Sequence, residues 1–138
     1  MGTDERYMIR AVIEGVLFNL RAILEALEEL SLASSEVRLI GGLAKSELWC
    51  SLASHVYGRE IHVLENPEAI TSLGAAIAAG VGSRAYEDLK IALKLVRVSR
   101  VYKPDTDLHQ KYEKIYTFFV KLYQQLKPLF RELEELEL

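Results

Sequence analysis

The chain has little equipment for covalent or metal chemistry. Among 138 residues there is one cysteine, Cys50, so an internal disulfide is excluded. No cysteine or histidine pair stands at metal-ligand spacing. A hydrolase triad needs a nucleophile, a base and an orienting acid brought together. The three histidines are unpromising bases: His55 falls in a predicted helix, His62 in a predicted strand and His109 in the first turns of the last helix. They read as solvent-facing or satisfied core residues, and Cys50 beside Trp49 as a small buried hydrophobe. Positive charge is also scarce. A formal net charge of −3 and a pI near 5.7 give no field for nucleic acid. No apolar run is long enough to span a bilayer. The start, Met1-Gly2-Thr3-Asp4-Glu5-Arg6, lacks the basic and apolar regions of a secretory signal, so a cytoplasmic protein with no membrane partner is expected.

What is present is globular: 50% hydrophobic and 27% charged residues, with no internal repeat and no linker. Apolar residues at three- and four-residue steps predict a long amphipathic helix over 4–30, with Thr3 available as its cap. A strand over 36–40, a helix over 47–57 stopped by Gly58 and a strand over 60–64 follow. That order predicts a parallel crossover. Asn66-Pro67-Glu68 breaks the second strand before a helix over 70–81, whose Gly74, Ala75, Ala76, Ala78, Ala79 and Gly80 suggest close packing. Ser83 is a candidate cap for a helix over 85–95, and 97–103 alternates as extended chain. Pro104-Asp105 opens a last long helix, which Pro128 is expected to end or kink. The fold class is therefore α/β, helix-rich, with a short parallel sheet. Two parallel strands make a poor sheet, because each keeps an unpaired edge. Cover is expected from a second copy of the chain or from the rest of a larger protein.

The corner Ile40-Gly41-Gly42-Leu43-Ala44-Lys45-Ser46 runs a strand into a helix through two bare backbone positions. It reads either as a plain tight turn or as a nucleotide site, since glycines admit a flat ligand and helix-start N–H groups favour anions. Ser46 is placed to cap the following helix. Lys45 is not part of a Walker loop, because the four-residue spacer before Gly-Lys is absent; a surface lysine is the plainer account. Glu65 and Glu68 lie beyond the second strand, at the end where parallel sheets hold ligands, although first-turn electrostatics explain Glu68 equally well. Glu132, Glu134, Glu135 and Glu137 form a solvated helix face.

Four stretches in order resemble the carboxy-terminal domain of the FGGY family of carbohydrate kinases, in particular xylulose kinases. Ile9 through Arg21 resembles the family's R-A-x-x-E-G-x-x-F-x-L-R helix, and Arg38 through Trp49 its I-G-G-G-A-K-S-x-x-W turn. Glu65 through Ala76 is similar to E-x-x-A-x-G-A-A, and Tyr102-Lys103-Pro104 with His109 and Tyr112 to the ending Y-x-P-x-x-x-x-H-x-x-Y. The resemblance implies a truncated actin-like, ribonuclease H-like domain. Its core portion would be 1–82 and its carboxy-terminal helical extension 83–138. It further implies ATP, with Mg, as phosphoryl donor to a pentulose or similar sugar. Gly42 and Ser46 would bind adenosine, with Gly41 forming the turn. Leu43 departs from the usual third glycine. The catalytic aspartate, the D-x-G-T phosphate segment and the sugar contacts would lie in an upstream kinase domain, so no catalytic residue is assigned in this chain and little activity is expected of it alone. The alternative is a non-catalytic α/β module that associates with itself, as a homo-oligomer. An actin-like ATPase without a sugar fits the Tyr102 to Tyr116 segment less well.

Overall fold

The computed structural model describes residues 4–32 and 36–136. Helix α1 (Glu5–Glu29) leads to strand β1 (Val37–Leu39), a 3-10 turn (Gly42–Lys45), α2 (Glu47–Tyr57) and β2 (Ile61–Leu64). Then come α3 (Ile70–Gly82), a 3-10 turn (Leu89–Ile91), α4 (Ala92–Leu95), β3 (Val98–Tyr102) and α5 (Thr106–Glu134). The expected cap Thr3 lies outside the described residues.

The sheet is ordered β1-β2-β3. β1 and β2 pair in parallel, Val37 opposite Ile61, as the strand-helix-strand order predicts. The sheet is mixed rather than purely parallel, because the segment read as extended chain joins β2 antiparallel, Ile61 opposite Tyr102. Burial explains the arrangement: Ile61, Val63 and Leu64 of β2 are buried, so this strand needs neighbours on both edges. The segment 83–138 thus contributes a strand to the core sheet as well as helix.

α2 packs against both α1 and α5. Ile13, Leu17 and Phe18 of α1 meet Leu52, Ala53, Val56 and Tyr57 of α2, Ile61 of β2, and Tyr112 and Tyr116 of α5 in one core. Charged side chains seal this core along the α1–α5 seam. Arg10 donates to Glu14 (2.7 Å) and to the Tyr112 hydroxyl (3.1 Å), and Tyr112 donates to Glu14 (2.7 Å). Farther along, Arg21 pairs with Glu25 (2.9 Å) and Glu113 (2.5 Å), donates to the Val56 carbonyl (2.9 Å) and lies 4.1 Å from the Tyr116 ring centre. Tyr116 donates to Glu25 (2.7 Å). Most of the residues that carry the helix pattern and the tyrosine pattern of the sequence are thus each other's partners, one hundred positions apart.

Three predicted features are corrected. α5 runs through Pro128 without ending. The carbonyl that loses its partner belongs to Gln124, an exposed position where water can replace the missing N–H. The helix expected over 85–95 is reduced to a 3-10 turn and the four residues of α4. Ser83, its expected cap, instead ends α3 and donates back to the Gly80 carbonyl (3.2 Å), and Arg84 reverses the chain at φ 63°. Finally, the small residues of α3 are largely exposed, with only Ile77 buried on that helix. Gly80 is the exception, since a side chain there would strike the Tyr86 ring.

Candidate functional site

The glycine corner stands at the carboxyl end of β1. Gly41 has φ 84° and ψ −171°, a conformation open essentially to glycine alone. Its N–H donates to the Pro67 carbonyl (2.8 Å), which ties the corner to the loop after β2. The chain then makes a 3-10 turn closed by Ala44 N–H to Gly41 (3.2 Å) and Ser46 N–H to Leu43 (3.1 Å). Ala44 is buried beneath it, with Cys50 and Val63.

Gly42 differs from Gly41. Its φ is not in the left-handed region, and no atom lies within 4 Å of where a Cβ would sit. Neither backbone conformation nor packing within this chain requires glycine there. What the missing side chain leaves is an exposed stretch of main chain open to a ligand. Ser46 takes the N-cap position of α2, but its side chain makes no capping hydrogen bond, against the expectation from sequence. The first-turn amides of α2 therefore remain available to an outside acceptor. Gly41, Gly42 and Ser46 are brought together within one turn of chain, with Leu43 46% exposed at its crest.

Around the corner the charged residues are paired. Lys45 and Glu68 meet at 3.0 Å, and Glu68 is held below the ordinary carboxylate range by a backbone hydrogen bond and then by Lys45. Arg100 of β3 bonds Glu47 at the start of α2 (2.8 Å). Between them a recess of about 360 Å³ is lined by Ala44, Lys45, Glu65, Asn66, Pro67, Ser99 and Arg100, among others. Glu65 lines this recess but makes no ion pair there, its backbone N–H going to the Arg97 carbonyl (2.9 Å). The supports supplied by Pro67 and Arg100 were not anticipated from sequence. They join segments 26 and 53 positions apart, and no local pattern announces such contacts.

The residues set aside on sequence grounds stay outside the site. Cys50 is fully buried, bonded to the Ala44 carbonyl (3.4 Å), and burial raises its thiol pKa, which suits packing rather than nucleophilic attack. His55 accepts from the Asp105 N–H (3.1 Å) and lies 3.2 Å from the Ser51 hydroxyl. His109 donates through Nδ1 to the His55 carbonyl (2.9 Å). His62 lies near Glu36 and Glu60. Among the described residues no group of three or more His, Cys, Asp or Glu could hold a metal ion, and no helix is long and apolar enough to cross a membrane.

Comparison with known proteins agrees with this geometry. The model of the FGGY family of carbohydrate kinases, C-terminal domain, matches residues 1–83. The xylulose kinase of Staphylococcus epidermidis is 30% identical over 125 residues, which are 90% of this chain and 25% of that protein. Among solved structures, xylulose kinase from Rhodospirillum rubrum superimposes with a TM-score of 0.78 at 24% identity, covering 95% of this chain and 27% of that one. Plasmodium falciparum glycerol kinase with ADP gives 0.68 at 25% identity, over 88% and 25%. The fold is thus that of the actin-like sugar kinases, and the chain spans about a quarter of the length of these relatives. A glycine corner, a helix pattern and a core that all match one family lead to one conclusion: the chain belongs to the FGGY family of carbohydrate kinases, as part of its C-terminal domain.

Proposed function

We propose that this chain supplies the adenosine-binding side of the cleft of an ATP-dependent carbohydrate kinase. Gly42 and Ser46 touch the nucleoside, and Gly41 shapes the turn. The observation that carries the reading is Gly42, a glycine that its own chain does not need, standing exposed beside an uncapped helix start. Phosphoryl transfer needs in-line positioning, a metal on the phosphates and a carboxylate to take the hydroxyl proton. An upstream actin-like domain provides the aspartate, the phosphate segment, the Mg site and the contacts that select a pentulose or similar sugar. The chain by itself binds nucleotide weakly and does not turn over.

The test is calorimetric titration of ATP with magnesium into the chain alone and then mixed with the upstream domain, followed by sugar-dependent ADP release. Binding and turnover only in the mixture support the divided site. Absence of binding in a stable mixture overturns it. The exposed apolar faces of α1 and α5 favour a second reading, a non-catalytic module that associates with itself. That reading calls for an oligomer by light scattering and no shift of melting temperature with ATP and magnesium.

A further inference from the structure

Helix α1 is amphipathic in the reverse sense for a helix facing water. Its charges turn inward: Arg10, Glu14, Arg21 and Glu25 are engaged with one another and with α5, and Glu28 with Arg59. Its outer face is apolar. Ile9, Val12, Val16, Ile23 and Leu27 share one stripe at helical spacing and are 39–68% exposed. No charged residue interrupts that stripe between Ile9 and Leu27.

A second unmatched feature lies beside it. β1 is hydrogen-bonded only to β2, so its other edge is open among the described residues. The two features meet at a recess of about 220 Å³, where Leu24 and Leu27 of α1 stand against Val37 and Arg38 of β1. An apolar stripe accepts many kinds of cover, but an open strand edge is satisfied only by another extended chain. One occupant meets both demands: a β-strand in the plane of the sheet, with alternate apolar residues facing α1.

We propose that the shelf made by the β1 edge and the outer face of α1 receives such a strand, supplied by the polypeptide that makes up the other three quarters of the related kinases. The proposal rests on the kinase reading for the source of the strand, not on the nucleotide corner. A second copy of this chain is a poorer donor. Its β1 is already flanked by its own α1, and its β3 carries Arg100 and Ser99 on opposite faces, so neither brings a clean apolar face.

The test co-expresses this chain, tagged, with the xylulose kinase of Staphylococcus epidermidis from which the matched quarter has been removed. Recovery of a one-to-one complex is expected, with slowed amide exchange at 37–39. Val16→Asp and Ile23→Lys, at exposed positions that leave the helical circular dichroism unchanged, weaken the complex at least tenfold, whereas Leu129→Lys on α5 does not. Failure to co-purify, equal binding by the two stripe variants, or a homodimer that these variants dissolve would each overturn the proposal. The kinase reading fails separately: a complex that forms but ignores ATP with magnesium sinks that reading and leaves the strand site standing. Nucleotide binding by a chain that recruits no strand does the reverse.

Discussion

The two ends of α2 are built around glycines with positive φ, yet they are finished differently. At the carboxyl end Gly58 (φ 65°) ends the helix in the left-handed conformation, and the His109 ring lies over it, 2.4 Å from where a Cβ would be. His55, His109 and Asp105 lock α5 across that end. At the amino end Gly41 (φ 84°) makes the corner, but nothing occupies the space above it or above Gly42. One end is sealed by the chain itself, and the other presents bare backbone. A glycine required by its own fold therefore teaches little about function, whereas one that the fold does not require marks where an outside group approaches.

Substitutions can break or sharpen that contrast. Gly58→Ala carries the largest expected effect, about 2–4 kcal/mol of lost stability, from left-handed strain together with the clash against His109. Urea unfolding measures it, and removing the ring with His109→Ala in the same chain should return part of the loss. A Gly58→Ala protein as stable as the parent would mean that the sealed end is not sealed. Gly41→Ala should cost about 1–3 kcal/mol, from backbone strain alone. No second substitution is expected to relieve it, because no neighbour is struck.

Tyr116→Phe comes next, at about 1.5 kcal/mol for a hydrogen bond to the Glu25 carboxylate. It also has a pH signature. Burial, and then Glu25, push the Tyr116 phenol up to about 12 from its ordinary 10, and burial does the same to Tyr57. A phenol raised in the fold favours the protonated state, so its contribution is intact below pH 10 and is lost as pH climbs toward 12. Unfolding followed across pH 9 to 12 should show stability falling in that window, less steeply in Tyr116→Phe. A slope unchanged by the substitution would remove Tyr116 from the account.

Gly42→Ala should be the quietest for folding, within about 0.5 kcal/mol of the parent. In the completed cleft it should nonetheless weaken ATP binding roughly tenfold, the equivalent of 1.4 kcal/mol. Were Gly42→Ala to bind nucleotide as tightly as the parent, the open end of α2 would lose its proposed meaning.

Much of this was legible in sequence because it is local. The three-to-four spacing of Ile13, Leu17 and Leu24 marks α1, the Gly58 stop marks the end of α2, and Asp105 caps α5 by accepting from the Leu108 N–H (2.9 Å), as its place after Pro104 suggests. The misreadings are also instructive. Pro128 breaks a hydrogen bond only on paper where the freed carbonyl is solvated. Ser46 occupies a cap position without capping, and Ser83 spends its hydroxyl on Gly80 instead of starting a helix. Periodicity and propensity state what a residue can do, while the competing partners that decide the outcome come from elsewhere in the chain.

By itself the sequence determined the order of the helices, the parallel β1–β2 unit, the glycine corner and the family, since these depend on short-range pattern and on motifs in a fixed order. Tertiary structure alone decided that residues 98–102 close the sheet antiparallel, that Arg10, Glu14 and Tyr112 hold α1 to α5, and that Gly41 hangs from Pro67 while Gly42 is left bare. Each of those joins positions from 26 to more than a hundred residues apart. A hydrogen bond or an empty space depends on where both sides stand, and local pattern describes only one of them.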